Sequence, residues 1–204
     1  MDNLIENLQK QIAEINTLGT TRMNYFNFTR SKKTLVDIAN FEKGFEVGSS
    51  YYSEEAEPQY IPYLRVGDLL QQSETYVPKI MCLSIATESD ILIAFDGAPG
   101  RIGVGLSGAF SSGLYKVRTA DKMTGMVYFE LMSTMCQKTI SDYSQGTTIL
   151  HASKAIPNLE YAECTDIEKK MFNFLYFKMI NLKKQVIHLD KIKKLLLGRY
   201  FTNQ

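Results

Sequence analysis

Histidine and cysteine are scarce in this chain: among 204 residues there are two histidines, His151 and His188, and three cysteines, Cys82, Cys136 and Cys164. An odd number of widely separated thiols argues against both a disulfide framework and a zinc site. With two histidines, the commonest general base is confined to two positions. His188 falls at an outward position of a heptad pattern and reads as a solvated helix residue. His151 would need Asp96 or Asp142 as partner to act in a hydrolase, but no G-x-S-x-G elbow supplies a nucleophile, so a structural hydrogen bond is the simpler reading. Methyltransferase-type Asn-Pro-Pro-aromatic motifs are missing as well. The sequence holds no apolar run near the roughly 18 residues needed to span a bilayer, and it does not open on a secretory signal, so the expectation is a soluble, cytoplasmic protein.

Charge of one sign is also lacking. The formal net charge is +1, yet residues 31–160 carry 11 Lys and Arg against 15 Asp and Glu, while residues 161–204 carry 9 against 4. A slightly acidic body with a basic tail excludes a free-standing, non-specific nucleic-acid binder, which would show a strongly basic face.

Glycine is concentrated in residues 94–113. Gly103-Val-Gly105-Leu-Ser-Gly108 formally satisfies the dinucleotide fingerprint G-x-G-x-x-G, with a strand-like run, Ile91 to Phe95, upstream. The fingerprint works only where the strand leads straight into it and a helix begins within it, because the helix N-terminus binds the pyrophosphate. Here residues 96–102 intervene and glycines and serines follow. No Lys-Ser or Lys-Thr completes a P-loop. The stretch instead predicts a meander with tight corners: Asp96-Gly97, Pro99-Gly100 and Ser107-Gly108 turn, and residues 101–106 and 109–118 extend.

Helical periodicity marks both ends. Ile5, Leu8, Ile12 and Ile15 predict a helix over residues 2–18, ended by Gly19. From Asp166, read as its N-cap, to about Leu197 there is no Gly or Pro. Phe172, Leu175, Met179, Leu182, Val186 and Leu189 keep a/d spacing, which continues through Ile192 and Leu196 after Lys193 takes an a position. Such a helix is on the order of 45 Å long. Ile180, Ile187 and the apolar run 171–177 widen its stripe beyond one seam. Its first turns should therefore wedge against the globular body, and the rest should meet two neighbours, the N-terminal helix and a helix from a second chain. Between the ends, residues 60–66, 79–85 and 90–95 read as strands, 124–143 as a helix stopped by Gly146, and 51–58, with Glu54, Glu55 and Glu57, as an exposed acidic loop.

Several phrases occur in a recognisable order: Leu35-Val-Asp-Ile-Ala39 with Phe41 and Gly44, Ile61-Pro-Tyr-Leu-Arg-Val-Gly-Asp68, Asp90-Ile-Leu-Ile-Ala-Phe-Asp-Gly97, Pro99-Gly100, Gly103, Ser111-Ser-Gly-Leu114, Gly146-Thr-Thr-Ile-Leu-His151, and then the heptad helix. This order resembles the target-recognition domain and conserved helix of the specificity subunit of type I restriction-modification enzymes, over residues 34–201. Residues 33–163 by themselves read as an α+β domain, and with the resemblance the chain divides into an N-terminal helix (1–26), a mixed-sheet DNA target-recognition domain (27–163), and a coiled-coil helix (164–204) for dimerisation and spacing. The resemblance implies a half-subunit, because a full one alternates two recognition domains with two helical regions. It further implies double-stranded DNA, methyltransferase subunits, optional restriction subunits and a second copy as partners, and a non-catalytic role. No cofactor is implied on this chain, with S-adenosylmethionine on the partner methyltransferase.

Polar and basic residues next to predicted turns are the DNA candidates: Arg65, Lys79, Arg101, Gln145, Thr147, Thr148 and Lys154. The candidate dimer seam is Phe172, Leu175, Met179, Leu182, Val186, Leu189, Ile192 and Leu196. The competing reading is a coiled-coil dimeric adaptor without DNA specificity.

Overall fold

The computed structural model describes residues 1–70, 73–120, 122–144 and 151–202. The fold is α+β, with helices from the two chain ends laid side by side and mixed sheets between them in sequence. Helix α1 (Asp2–Thr29) runs antiparallel to the long helix α4 (Asp166–Thr202). Ion pairs mark both ends of the contact. Lys193 Nζ donates to Asp2 Oδ1 at 2.5 Å, so the charged residue at an a position of the heptad has a partner. At the other end the Arg30 guanidinium forks onto Glu168, each nitrogen donating to one oxygen at 2.7 Å, and stacks over the Phe26 ring at 3.6 Å.

Gly19 does not end α1; the helix continues for ten residues beyond it, to Thr29. The glycine serves packing, since the Phe129 ring lies where a Cβ would stand. Gly125 likewise lets the next helix, α2 (Thr124–Leu131), approach the α4 backbone at Phe172 and Asn173, and Asn173 Oδ1 accepts from the Gly125 N–H at 2.6 Å. A mid-helix glycine costs about 1 kcal/mol of propensity, which the aromatic cluster it admits offsets. In that cluster Met23, Phe26, Phe129, Phe172, Tyr176 and Met179 are fully buried, with Phe172 edge-on to Phe26 at 6.0 Å.

The expected helix over 124–143 is two helices. After α2 the chain bends at Ser133, whose Oγ accepts from the Cys136 N–H and caps α3 (Thr134–Asp142). The same hydroxyl donates to Glu130, a buried carboxylate that also accepts from Asn27 Nδ2 at 2.6 Å and the Ala162 N–H at 3.1 Å. The start of α4 also differs from expectation. Its cap is Thr165, which forms a reciprocal box with Glu168: the Thr165 N–H donates to Oε2, and the Glu168 N–H donates to Thr165 Oγ1.

Among the described residues the strands form two four-stranded sheets and a two-stranded ribbon. The ribbon pairs β1 (Lys32–Thr34) with β10 (Glu160–Ala162). The first sheet has the order β2 (Ala39–Lys43), β9 (Leu114–Thr119), β6 (Ile91–Ala94), β7 (Ile102–Gly103), all antiparallel. The second has the order β4 (Tyr76–Pro78), β3 (Tyr60–Leu64), β8 (Gly108–Phe110), β5 (Ile85–Ala86), with β3 and β8 parallel.

The glycine-rich stretch is therefore not a single meander. β6 and β7 form a hairpin, β8 crosses to the other sheet, and β9 returns. Gly108, at φ +148, makes that crossing: its α-carbon packs on the Pro62 carbonyl where a Cβ would overlap. No helix follows the glycines, so the dinucleotide reading falls. Residues 79–85 are not a strand either. β4 occupies the edge of β3, and the apolar run makes a 3-10 turn (Lys79–Met81), with Ile80 94% exposed, before joining β8 as β5. Among the described residues no helix is long and apolar enough to cross a membrane.

Candidate nucleic-acid interface

The two ends of the sheets have different surroundings. At one end the segments before β6 and after β7 sit on α4: Tyr176 Oη donates to the Ser89 carbonyl, Lys184 pairs with Glu88, and Lys183 Nζ donates to the Val104 carbonyl at 3.4 Å. The Lys183 amine is buried there, and desolvation lowers its pKa. At the other end of β6 and β7 the β6–β7 turn meets the β8–β9 turn and the segment after β3. Val66 lies at the centre of them. Its carbonyl accepts from Arg101 Nη1 at 3.4 Å, and its side chain lies within 4.0 Å of where a Cβ on Gly97 or Gly113 would stand. The Ser112 N–H and hydroxyl both donate to Glu46 Oε2.

This end of the sheets brings together some of the candidates chosen from sequence. Arg65 follows β3 with its side chain 48% exposed; it is steadied by Asp68 at 3.5 Å, by Thr75 Oγ1 at 3.1 Å and by the Tyr52 ring. Arg101 is half-buried in the β6–β7 turn. Lys154 is exposed in the 3-10 helix Ser153–Asn158, three residues after His151. Lys79 is not part of the group: its N–H donates to the Gln59 carbonyl, which precedes β3, placing it at the other end of that strand from Arg65. Gln145, Thr147 and Thr148 lie outside the described residues.

His151 and Asp96 come together here. Their backbones pair in an antiparallel bridge, the Ala152 N–H donates to the Phe95 carbonyl at 2.8 Å, and His151 Nδ1 lies 2.8 Å from Asp96 Oδ1. Among the described residues no hydroxyl or thiol hydrogen-bonds to His151, and no three His, Cys, Asp or Glu side chains gather as a metal site. Among the described residues the pair is a hydrogen-bonded surface feature with no nucleophile bonded to it.

Between the second sheet and α4 runs a cleft of about 1170 Å³. Lys191 and Lys194 of α4 face it together with Arg65 and Thr75, but Glu54, Asp68, Glu74 and Asp190 line it too. Mixed charge of this kind offers no continuous track for phosphates.

The helical seam requires a correction. Phe172, Leu175, Met179 and Leu182 are buried inside the chain itself, against α1 and α2, and are not available to a second copy. Val186, Leu189 and Ile192 are half-buried, and Leu196 is 46% exposed. The heptad was answered within the chain because α1 continues past Gly19 and covers it. Exposed apolar side chains on the helices include Leu18 (60% exposed) and Tyr25 (57%), seven residues apart on α1, Ile167 (80%) and Phe174 (66%), seven apart on α4, and Phe28, Phe177 and residues 195–197.

No protein-family model and no curated protein matches the sequence. Solved structures do. The S subunit of a type I restriction-modification system from M. genitalium aligns with 96% of this chain at TM-score 0.63 and 18% identity. The HsdS subunit from Thermoanaerobacter tengcongensis aligns with 94% at TM-score 0.59 and 14% identity. A type I restriction-modification assembly aligns with 96% at TM-score 0.52 and 13% identity. The chain covers 56%, 48% and 53% of those chains respectively, about half their length. What is shared is the fold: mixed sheets carried between a first helix and a long last one.

Proposed function

We propose that a chain with the S-subunit fold and this loop end is a DNA sequence-recognition unit of a type I restriction-modification system. Residues 27–163 would read one half of a bipartite target, and the flanking helices, with α1 running to Thr29, would set the geometry between half-sites. The observation that carries the reading is the fold likeness over nearly the whole chain, joined to the ordered family phrases in the sequence. The unit is non-catalytic: it docks methyltransferase subunits, which hold S-adenosylmethionine, and restriction subunits where present. Arg65, Arg101 and Lys154 are the proposed contacts among the described candidates, with Arg65 and Arg101 suited by chemistry to guanine edges and Lys154 to phosphate.

Two copies of the unit would associate through the outer face of the helical pair, Leu18, Tyr25, Ile167 and Phe174, and an antiparallel arrangement would hold one recognition domain at each end. Identical units related by a two-fold axis read identical half-sites on opposite strands, so the target would be an interrupted palindrome.

The test is selection from random DNA duplexes by the chain together with its methyltransferase subunits. An enriched, gapped, palindromic motif is the expected result. No sequence-selective complex would leave the adaptor reading, and an asymmetric motif would sink the homodimer. Phe174→Glu should dissociate the pair and abolish selective binding, read by light scattering and gel shift.

A further inference from the structure

We infer that His151 is a base-reading residue, held in one tautomer by Asp96, and that it accepts a hydrogen bond from the exocyclic amine of adenine or cytosine in the major groove. The inference rests on the DNA-recognition reading above and deepens it.

The pair is more than the fold requires. The segments that bear Asp96 and His151 are already joined by the backbone bond from Ala152 N–H to the Phe95 carbonyl at 2.8 Å. A pin serving only the fold would be buried, whereas the His151 side chain is 62% exposed and Asp96 22% exposed. An exposed pair of this kind contributes little to stability. What it does fix is the ring. A carboxylate only accepts, so the contact at 2.8 Å makes Nδ1 the donor. The neutral ring then presents a lone pair at Nε2, and among the described residues nothing bonds to that atom. The ring stands on the segment paired with the β6–β7 turn, which also carries Arg101, at the end of the sheets where the β3 and β8–β9 turns converge.

An oriented acceptor complements the two arginines. Guanidinium groups donate, and in the major groove they match guanine N7 and O6. A reader built of arginine alone cannot recognise adenine N6 or cytosine N4, which present donors. The imidazole lone pair supplies the missing polarity, and Asp96 acts as a positioning residue that prevents the other tautomer.

The experiment is duplex selection from a random library with the full chain and its methyltransferase subunits, repeated for His151→Ala, His151→Gln, Asp96→Ala and Asp96→Asn, with thermal melting of each to confirm folding. Wild type should select a motif, and His151→Ala should lower the preference at one A·T or C·G position by tenfold or more while leaving the others unchanged. Asp96→Ala should relax the same position, and so should Asp96→Asn, whose amide can donate to Nδ1 and so release the other tautomer. His151→Gln should keep part of the preference and also serves if the alanine variant does not fold. Three results overturn the inference: an unchanged motif in His151→Ala, a uniform loss of affinity for all duplexes, which marks a phosphate contact, or guanine as the preferred base at the affected position. If wild type itself selects no motif, the recognition reading fails first and this inference falls with it.

Discussion

Between α1, α2 and α4, Phe26, Phe129 and Phe172 have no measurable exposure, while at the loop end of the sheets Arg65 and His151 leave 48% and 62% of their side chains in water. The first region is held by apolar area and close packing, where each ring touches several others. The second is held by backbone turns and a few hydrogen bonds, with side chains whose polar atoms remain available. A substitution in the helical layer should act on stability and leave specificity alone; one at the loop end should do the reverse.

The sharpest way to break that contrast is Phe172→Ala. It should lower the unfolding free energy by about 3–5 kcal/mol, whereas Arg101→Ala should change it by about 0.5 kcal/mol or less; urea denaturation of both compares them directly. Equal losses would mean that the loop end is part of the core. Next in size, Arg65→Ala and Arg101→Ala should each weaken binding to the selected duplex by about 1–3 kcal/mol and relax the preference at one position, measured by titration at fixed salt.

Two glutamates within the helical layer sharpen the comparison through pH. The Arg30 fork holds the Glu168 carboxyl at about 2, below its ordinary 4.5, so its stabilisation is full above 4.5 and is lost as pH falls toward 2. Glu168→Gln should cost about 1–2 kcal/mol at pH 7, a cost that shrinks below pH 4.5 and disappears only as pH falls through about 2. Glu130 has the opposite sign. Burial raises its pKa despite the bonds from Asn27, Ala162 and Ser133, so the folded state holds its proton longer and stability declines as pH rises above 4.5. Glu130→Gln should flatten that decline in a pH series of thermal melts. The smallest effect belongs to Lys154→Ala: no change in stability, but a salt dependence of DNA binding shallower by about one unit of slope.

Much of the helical layer was legible because periodicity reports burial. Phe172, Leu175, Met179 and Leu182 read as an apolar seam, and all four are buried. Spacing does not say which of the two expected neighbours covers them, because Gly19 reads as a helix end but is the point where Phe129 packs. A lone glycine looks the same in sequence whether it stops a helix or admits a ring. The turns of the glycine-rich stretch were legible for a related reason: Asp96-Gly97 and Pro99-Gly100 are local backbone preferences. That β8 would leave for the second sheet was not, because strand pairing joins residues as far apart as Leu64 and Phe110.

The sequence by itself determined the class of the fold, the long helix, the turn-rich centre and the family likeness, all of which rest on local spacing and composition. Only the tertiary structure decided which surfaces remain free. It buried the heptad against α1, separated Lys79 from Arg65 across the length of β3, and joined Asp96 to His151 over 55 positions of chain. Each of these outcomes depends on which distant segment reaches a face first and displaces water from it, and residue spacing along the chain carries no record of that competition.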